Sequence, residues 1–162
     1  MKAFRIVLKR YGNTARAAFS GTSGYLANGR WHSKGRYLDY AAESQSLAIL
    51  ERLVHYKRFD ALVPHVLYVV EVPDSLIEVC TEVPKGWDEP NISPAAQKLG
   101  NRWCDEQLSP ALKMPSVVTR GESNLLLNSK HPAWKWGWVV QRTPFAFDER
   151  LQEIMGAATK KL

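Results

Sequence analysis

The stretch GRWHSKGRYLDYAAESQSLAILE, from Gly29 to Glu51, predicts a turn, a strand and a helix in close succession. Glycine follows a polar residue at 28–29 and again at 34–35, which is typical of turns. The segment from Arg36 to Ala41 then predicts a short strand. Because these elements follow one another closely, we expect their side chains to lie in one compact unit.

A helix is predicted at the end of this stretch, from about Ser44 to Lys57, with Ser44 as its N-cap. Its apolar residues recur at helical steps of three to five, and they are Leu47, Leu50, Val54 and Phe59. Glu51 follows Leu47 by one turn and therefore lies on the edge of the apolar stripe. A carboxylate on such a half-buried face is costly unless a donor pairs with it.

The unit carries a cation, an aromatic ring and a carboxylate, on Arg30, Tyr40 and Glu51. An arginine on a loop between strands can reach a bound anion, since its planar fork of donors suits two phosphate oxygens. Each of the three residues also has an ordinary interpretation, as a solvated turn residue, a core tyrosine and a surface ion-pair partner. Spacing alone does not decide between these interpretations and a functional site.

At 162 residues the chain has the length of one domain and can bury a core without disulfides. Its two cysteines, Cys80 and Cys104, form no Cys-x-x-Cys pair, and we expect both to be free thiols in a reducing compartment. The apolar run near the start is too short for a secretory segment, and no run is long enough to span a bilayer. The sequence therefore predicts a cytoplasmic protein.

The net charge of +6, with six tryptophans and six tyrosines, raises the alternative of a basic RNA-binding module. The positive residues are dispersed, and their longest cluster is Lys160-Lys161. Trp134, Trp136 and Trp138 alternate as one face of a predicted strand, which is more typical of a core than of a base-stacking platform. A basic surface that attracts anionic substrates or an acidic protein fits the same charge.

Several kinds of site are not indicated by the motifs present. The sequence has no P-loop, no Gly-x-Gly-x-x-Gly fingerprint and no Gly-x-Ser-x-Gly elbow. Four scattered histidines form no zinc-type pair, and they are His32, His55, His65 and His131. No metal site is predicted.

The remaining elements of the first two thirds follow from composition. Strands are predicted at Phe4–Lys9 and, as a central strand, at Val66–Val72, with a loop and one helical turn over 12–28. Leu76–Cys80 predicts a short edge strand or a helical turn, followed by a proline-rich surface loop over 84–94. A helix is predicted from the Ser93-Pro94 start to about Gln107, with its inward residues at Leu99, Trp103 and Leu108.

The last third predicts more strands than helices. Met114–Arg120 and Trp134–Gln141 are predicted strands, and Phe145–Phe147 is predicted to resume a strand after a break at Pro144. Glu122–Asn128 predicts a loop or short helix, residues 129–132 a turn, and Leu151–Leu162 a terminal helix. This order of elements predicts an α+β fold.

Three sets of residues form motifs. The first comprises Gly29-Arg30-Trp31, Gly35, Tyr40, Ala48 and Leu50-Glu51; the second comprises Pro115 to Val118, Glu122 to Asn128 and His131-Pro132; the third is Phe145 to Leu151. Together with Phe4-Arg5-Ile6 they resemble the RES domain family, the toxins of bacterial RES–Xre toxin–antitoxin pairs. The chain departs from the family pattern at His32, where Asn is common, and at Ala41, where Ser is common.

This resemblance implies a single RES domain over residues 1–162, with an ADP-ribosyltransferase-like split β core and helices around a cleft. It also implies NAD as the substrate and no metal. Glu51 would stabilise the positive charge that develops on the ribose when the nicotinamide bond breaks. Tyr40 would stack on the cationic nicotinamide, and Arg30 would hold the pyrophosphate. For Ser116 the resemblance leaves two roles open, namely orienting Glu51 or contacting the nicotinamide ribose.

The resemblance further implies a toxin that depletes NAD and arrests growth. The acceptor stays open at this point: water gives a glycohydrolase, phosphate a phosphorylase, and a protein side chain an ADP-ribosyltransferase. The implied partners are an Xre-type, helix-turn-helix antitoxin that covers the active site and a second copy in a homodimer. A catalytically dead partner-binding domain is a further alternative, against which the intact Arg30, Tyr40 and Glu51 argue.

Overall fold

The computed structural model describes residues 1–55 and 63–151 and contains one seven-stranded mixed sheet. In chain order the strands are β1 Lys2–Leu8, β2 Asp39–Ala42, β3 His65–Glu71, β4 Ile77–Val79, β5 Ala111–Pro115, β6 Ser123–Leu127 and β7 Val139–Phe145. The helices are α1 Ala15–Ala18, α2 Thr22–Leu26, α3 Gln45–Val54 and α4 Pro94–Asp105, with 3-10 turns at Asp74–Leu76 and Trp136–Trp138. The α+β prediction is confirmed.

The strands lie in the order β4-β5-β6-β2-β1-β3-β7. Apart from β4 and β5, which run parallel, the neighbouring strands pair antiparallel. Alternate residues of each strand point to opposite faces. One face packs around Phe19, Tyr68 and Trp134, while the other packs against α3 through Leu47 and against α4 through Trp103. The second face carries the candidate site.

Strand β6 corrects the prediction of a loop or short helix over Glu122–Asn128. It pairs with β2 on one side and with β5 on the other, so it is an interior strand. Leu125, Leu126 and Leu127 are fully buried, and they alternate between the two core faces. A strand that is buried on both faces shows a continuous apolar run rather than alternation, which explains the wrong prediction.

Two further strand predictions were wrong in their bounds. A strand was predicted over Met114–Arg120, but β5 ends at Pro115. Ser116 therefore lies in the turn that follows β5. The predicted strand Trp134–Gln141 is a 3-10 turn at Trp136–Trp138 followed by β7.

Strand β7 also continues through Pro144 and ends at Phe145, so the predicted break and the strand Phe145–Phe147 were wrong. Strand β7 is an edge of the sheet, where a proline without an N–H donor is tolerated. The tryptophans form edge-to-face contacts around the buried Trp134, as a core does.

The outcomes for the other early elements are mixed. The predicted strands at Phe4–Lys9 and Val66–Val72 are confirmed as β1 and β3, and β3 is an interior strand. The loop over 12–28 instead contains two short helices, α1 and α2. The segment Leu76–Cys80 combines both expected forms, since a 3-10 turn leads into the edge strand β4.

Helix α3 begins as predicted, because the Ser44 hydroxyl accepts a 3.0 Å hydrogen bond from the Leu47 N–H. The inward placement of Leu50 and Val54 was wrong, since they are 41% and 59% exposed. The predicted end at Lys57, the apolar Phe59 and the terminal helix beyond Leu151 lie outside the described residues.

Helix α4 also matches its prediction, with Ser93 as cap and Pro94 in the first turn. Of its expected inward residues Trp103 is buried, Leu99 is partly buried, and Leu108 beyond the helix is 49% exposed. Asn101 of this helix exchanges two hydrogen bonds of 2.9 Å with Ser33, so α4 holds the turn that follows Arg30.

We predict that Gly100→Ala lowers the melting temperature. A Cβ at Gly100 would lie 1.8 Å from the carbonyl oxygen of Trp31, and overpacking of this kind costs about 1–3 kcal/mol. That cost exceeds the gain of about 1 kcal/mol that alanine brings to a helix interior. Thermal unfolding followed by circular dichroism measures the difference. Gly137→Ala is the matched control, since its Cβ would meet no atom within 4 Å, and an equal effect of both substitutions would contradict the contact.

Candidate active site

Glu51 is the centre of the candidate site. It projects from α3, and its Oε1 accepts hydrogen bonds from Ser116 Oγ at 2.8 Å and from Asn124 Nδ2 at 2.5 Å. The described residues give Oε2 no hydrogen-bond donor, and Glu51 lines an open cleft. One carboxylate oxygen is therefore fixed by the protein, and the other is available to a ligand.

The hydroxyl of Ser116 has its direction fixed by the backbone. Its Oγ accepts hydrogen bonds from the N–H groups of Val118 at 3.1 Å and Thr119 at 3.2 Å. A hydroxyl has two acceptor lone pairs and one hydrogen, so both lone pairs are used and the hydrogen is left for Glu51. Of the two contacts expected for Ser116, the structure shows the one to Glu51.

Tyr40 is held by the turn that carries Arg30. Its hydroxyl lies 2.8 Å from Nδ1 of His32, while Nε2 of His32 lies 3.1 Å from the carbonyl oxygen of Gly24. A carbonyl only accepts, so Nε2 carries the hydrogen and Nδ1 accepts from the Tyr40 O–H. The Tyr40 oxygen in turn accepts from the Trp31 N–H at 3.4 Å. Both functions of the hydroxyl are thus used within the protein, and the ring contributes to the cleft wall.

Charge and burial keep these two side chains neutral. Burial raises the pKa of the Tyr40 hydroxyl, nearby Glu51 raises it further, and the Trp31 N–H and the Arg30 charge oppose the shift. Burial also lowers the pKa of His32, so the imidazole stays neutral and Nδ1 remains an acceptor. Gly29 leaves room for this pair, because a Cβ there would lie 2.5 Å from the His32 ring.

Arg30 lies at the edge of the site rather than in the cleft lining. Its Nη1 donates to the carbonyl oxygens of Trp87 at 2.6 Å and Glu89 at 2.9 Å, so it holds the loop between β4 and α4. The Trp87 ring also stacks on Trp31, with ring centres 5.4 Å apart. The structure therefore brings Tyr40 and Glu51 together in one cleft and places Arg30 beside Tyr40, within range of electrostatic influence.

The sequence did not single out Arg5, which supports the site from the opposite face of the sheet. Its guanidinium donates to Ala18 O at 2.9 Å, to Tyr40 O at 2.7 Å and to Asp39 Oδ1 at 2.7 Å. Asp39 is 2% exposed and also accepts from the Gly21 N–H. Burial raises the pKa of Asp39, and the Arg5 charge opposes that shift. The pair fixes the backbone of β2 at Tyr40.

Three other cleft residues were also missed. Asn124 donates to Glu51, while Arg52 and His55 line the cleft from the end of α3. Asn124 had a signal, since it is an amide before a run of leucines, but the loop prediction concealed it. Arg5 had a similar signal as one charge inside an apolar strand.

Two kinds of feature are absent from residues 1–55 and 63–151. No cluster of three or more histidine, cysteine or acidic side chains is arranged to bind a metal ion there. Within the same residues, none of the helices has the length and apolar character needed to cross a bilayer. Cys80 and Cys104 are both free thiols.

Comparison with known proteins identifies the family. The model of the RES domain family matches residues 2–148. The chain belongs to the RES domain family. It is 34% identical over 155 residues to "Toxin Res" of Yersinia enterocolitica, a match that covers 94% of this chain and 100% of that protein. It is 36% identical over 137 residues to "Prs ADP-ribosylating toxin" of Sphingobium sp., covering 82% of this chain and 85% of that toxin.

The fold has a solved counterpart in the toxin–antitoxin complex MbcT–MbcA of M. tuberculosis. The match has a TM-score of 0.68 at 13% sequence identity and covers 96% of this chain and 88% of that chain. At this identity the likeness establishes the fold alone. The resemblance of the sequence motifs to the RES family is thus confirmed. The relatives named as toxins identify the chain as a RES-family toxin.

We predict that His32 makes the protein less stable in acid. The pKa of His32 is lowered from 6.5 in the folded protein, so below about pH 6.5 the unfolded chain binds a proton that the folded chain does not. Stability should therefore fall as the pH drops from 6.5 toward the lowered pKa. Urea unfolding at pH 7.5 and pH 5.5 measures this loss. His32→Asn should lose less stability over the same interval, and equal losses in both proteins would contradict the prediction.

Proposed function

We propose that this RES-family chain is an enzyme that breaks the nicotinamide–ribose bond of NAD and thereby arrests growth of the cell that contains it. The observation that carries the proposal is the Glu51 carboxylate, which lines a cleft together with Tyr40. One of its oxygens is bound by the protein, and the other has no hydrogen-bond donor among the described residues. An NAD ribose placed between them would have a negative oxygen on one side and an aromatic ring on the other.

In the proposed reaction the bond between C1′ of the ribose and the nicotinamide nitrogen breaks, and nicotinamide leaves as a neutral molecule with the electron pair. Positive charge develops on C1′ and the ring oxygen, as in glycoside cleavage. Oε2 of Glu51 stabilises this charge through space or through a ribose hydroxyl, a contribution of about 3–4 kcal/mol. Water or phosphate then bonds to C1′, and an acceptor proton is released to solvent.

Tyr40 and Arg30 bind the substrate in this proposal. The Tyr40 ring stacks on the cationic nicotinamide, and its hydroxyl stays on His32. Arg30 commits Nη1 to the loop carbonyls of Trp87 and Glu89, which leaves its other N–H donors for the pyrophosphate. Ser116 acts through Glu51 and is a positioning residue.

A second candidate is transfer of ADP-ribose to a protein side chain, which differs only in the acceptor. The observation that favours it is the 36% identity to the Sphingobium protein named as an ADP-ribosylating toxin. As a partner we propose an Xre-type antitoxin that covers the cleft, supported by the toxin–antitoxin complex with the same fold.

We predict that the purified chain consumes NAD and that Glu51→Gln reduces the rate about 100-fold or more while the melting temperature is kept. The oxygen of the neutral amide can still accept hydrogen bonds from Ser116 and Asn124. The amide does not carry the negative charge that stabilises the transition state. NAD concentration is followed over time, with and without inorganic phosphate, to identify the acceptor. Glu78→Gln, on the exposed edge strand β4, is the matched control and should keep full activity.

Loss of NAD at the same rate in the folded Glu51→Gln protein would refute the role of Glu51. If no NAD is lost by the wild-type chain, labelled NAD incubated with cellular proteins separates transfer from inactivity. Label on protein would support the second candidate, and its absence would reject both enzymatic functions.

We also predict different effects of two substitutions at Tyr40. Tyr40→Phe keeps the ring face and removes only the hydroxyl, so KM should change by less than about threefold. Tyr40→Leu removes the stacking, which contributes about 0.5–2 kcal/mol, so KM should rise by about two- to thirtyfold. Initial rates over a range of NAD concentrations measure both. Equal KM values for the two variants would show that the ring face does not bind nicotinamide.

A further inference from the structure

Asn124 is an unusual residue for its position. It lies in the interior strand β6, directly opposite Ala42 of β2 and Met114 of β5, and is 9% exposed. The three residues that follow it in the strand are fully buried leucines. A buried amide between apolar neighbours is costly unless it is hydrogen-bonded. Its partner is the carboxylate of Glu51, 2.5 Å away.

The direction of this hydrogen bond is fixed by chemistry. The Asn124 side-chain nitrogen can only donate, so the contact requires Glu51 Oε1 as an acceptor. The reverse orientation of the amide would bring two oxygen acceptors to 2.5 Å, which is repulsive. Since the Ser116 hydroxyl donates to the same oxygen, a proton on Oε1 would disrupt two hydrogen bonds at once.

We propose that Asn124 is a positioning residue that holds Oε1 of Glu51, so that Oε2 is left for the substrate ribose. This inference rests on the proposed function and adds a residue to it. Ser116 comes from the turn after β5, whereas Asn124 comes from the middle of the sheet. The two donors approach Oε1 from different elements and together fix the rotation of the carboxylate. Small Ala42 beside Asn124 leaves space for α3 to bring Glu51 close to the sheet.

The test uses Asn124→Asp and Asn124→Ala. In Asn124→Asp a second carboxylate replaces the amide at nearly the same size, and two adjacent carboxylates share a proton. In the pH profile of the NAD consumption rate, the acid limb should move to higher pH by more than about one unit. The rate at pH 6 should be at least about tenfold lower than that of the wild type. Asn124→Ala should lower kcat about ten- to hundredfold, as expected for a lost hydrogen bond to a charged group, with KM within about twofold.

Asn128→Asp is the matched control. Asn128 follows the same strand and is also buried, but its Oδ1 accepts from the Lys130 N–H, a role that a carboxylate keeps. This variant should retain the wild-type pH profile. A melting temperature for each protein separates loss of folding from loss of positioning, and a purely structural role of Asn124 would leave the pH profile of the folded fraction unchanged.

A second readout does not need turnover. The ¹³C resonance of the Glu51 side-chain carboxyl is followed against pH without NAD, in the wild type and the three variants. Its midpoint should move to higher pH in Asn124→Asp and stay unchanged in Asn128→Asp. An unmoved midpoint in folded Asn124→Asp would overturn the role of Asn124. If the midpoint moves in Asn124→Asp but the wild-type protein neither consumes NAD nor labels other proteins from NAD, the contact of Asn124 with Glu51 is supported and the proposed function is rejected.

Discussion

The candidate site depends on the pairing of one carboxylate. Glu51 lies on the half-buried edge of α3, where an unpaired charge would be costly. Its two donors come from residues 65 and 73 positions later in the chain, Ser116 and Asn124. The site therefore exists only when β6 is paired with both β2 and β5 and α3 is docked on the sheet. Binding of one oxygen by the protein also determines which oxygen faces the cleft.

Tyr40 is likewise held by hydrogen bonds within the protein. Its hydroxyl donates to a neutral histidine and accepts from a backbone N–H, so the two contacts fix the position of the hydroxyl end of the ring. The turn that supplies these groups is held by α4, through Gln97 and Asn101. The Arg5–Asp39 pair fixes the strand from the other face. A site built in this way is rigid before any ligand arrives, which is what electrostatic stabilisation of a transition state requires.

The sequence predicted the parts of the fold that depend on local signals. The Ser44 cap located the start of α3, the helix that carries Glu51, although Leu50 and Val54 of the predicted apolar stripe are exposed. The proline and serine at the start of α4 were equally informative. The prediction failed where long-range pairing decides. Strand β6 has no alternation because both of its faces are buried, and so Asn124 could not be recognised as a partner of Glu51.

The candidate site residues divide along the same line. The sequence predicted Arg30, Tyr40 and Glu51 because one short unit carries them, and the family resemblance supplied their proposed roles. Arg5 and Asn124 make contacts with residues distant in sequence, and their local signal, a polar residue beside apolar ones, does not identify those partners.

A crystal structure with an NAD analogue whose nicotinamide–ribose bond cannot be cleaved would test the role of Glu51. We predict that Oε2 of Glu51 lies about 3 Å from a ribose hydroxyl, at hydrogen-bond distance, while Oε1 keeps its contacts to Ser116 and Asn124. The nicotinamide ring should lie against Tyr40. A ribose bound away from Glu51, or a carboxylate turned so that both oxygens face the protein, would contradict the role of Glu51 at the ribose.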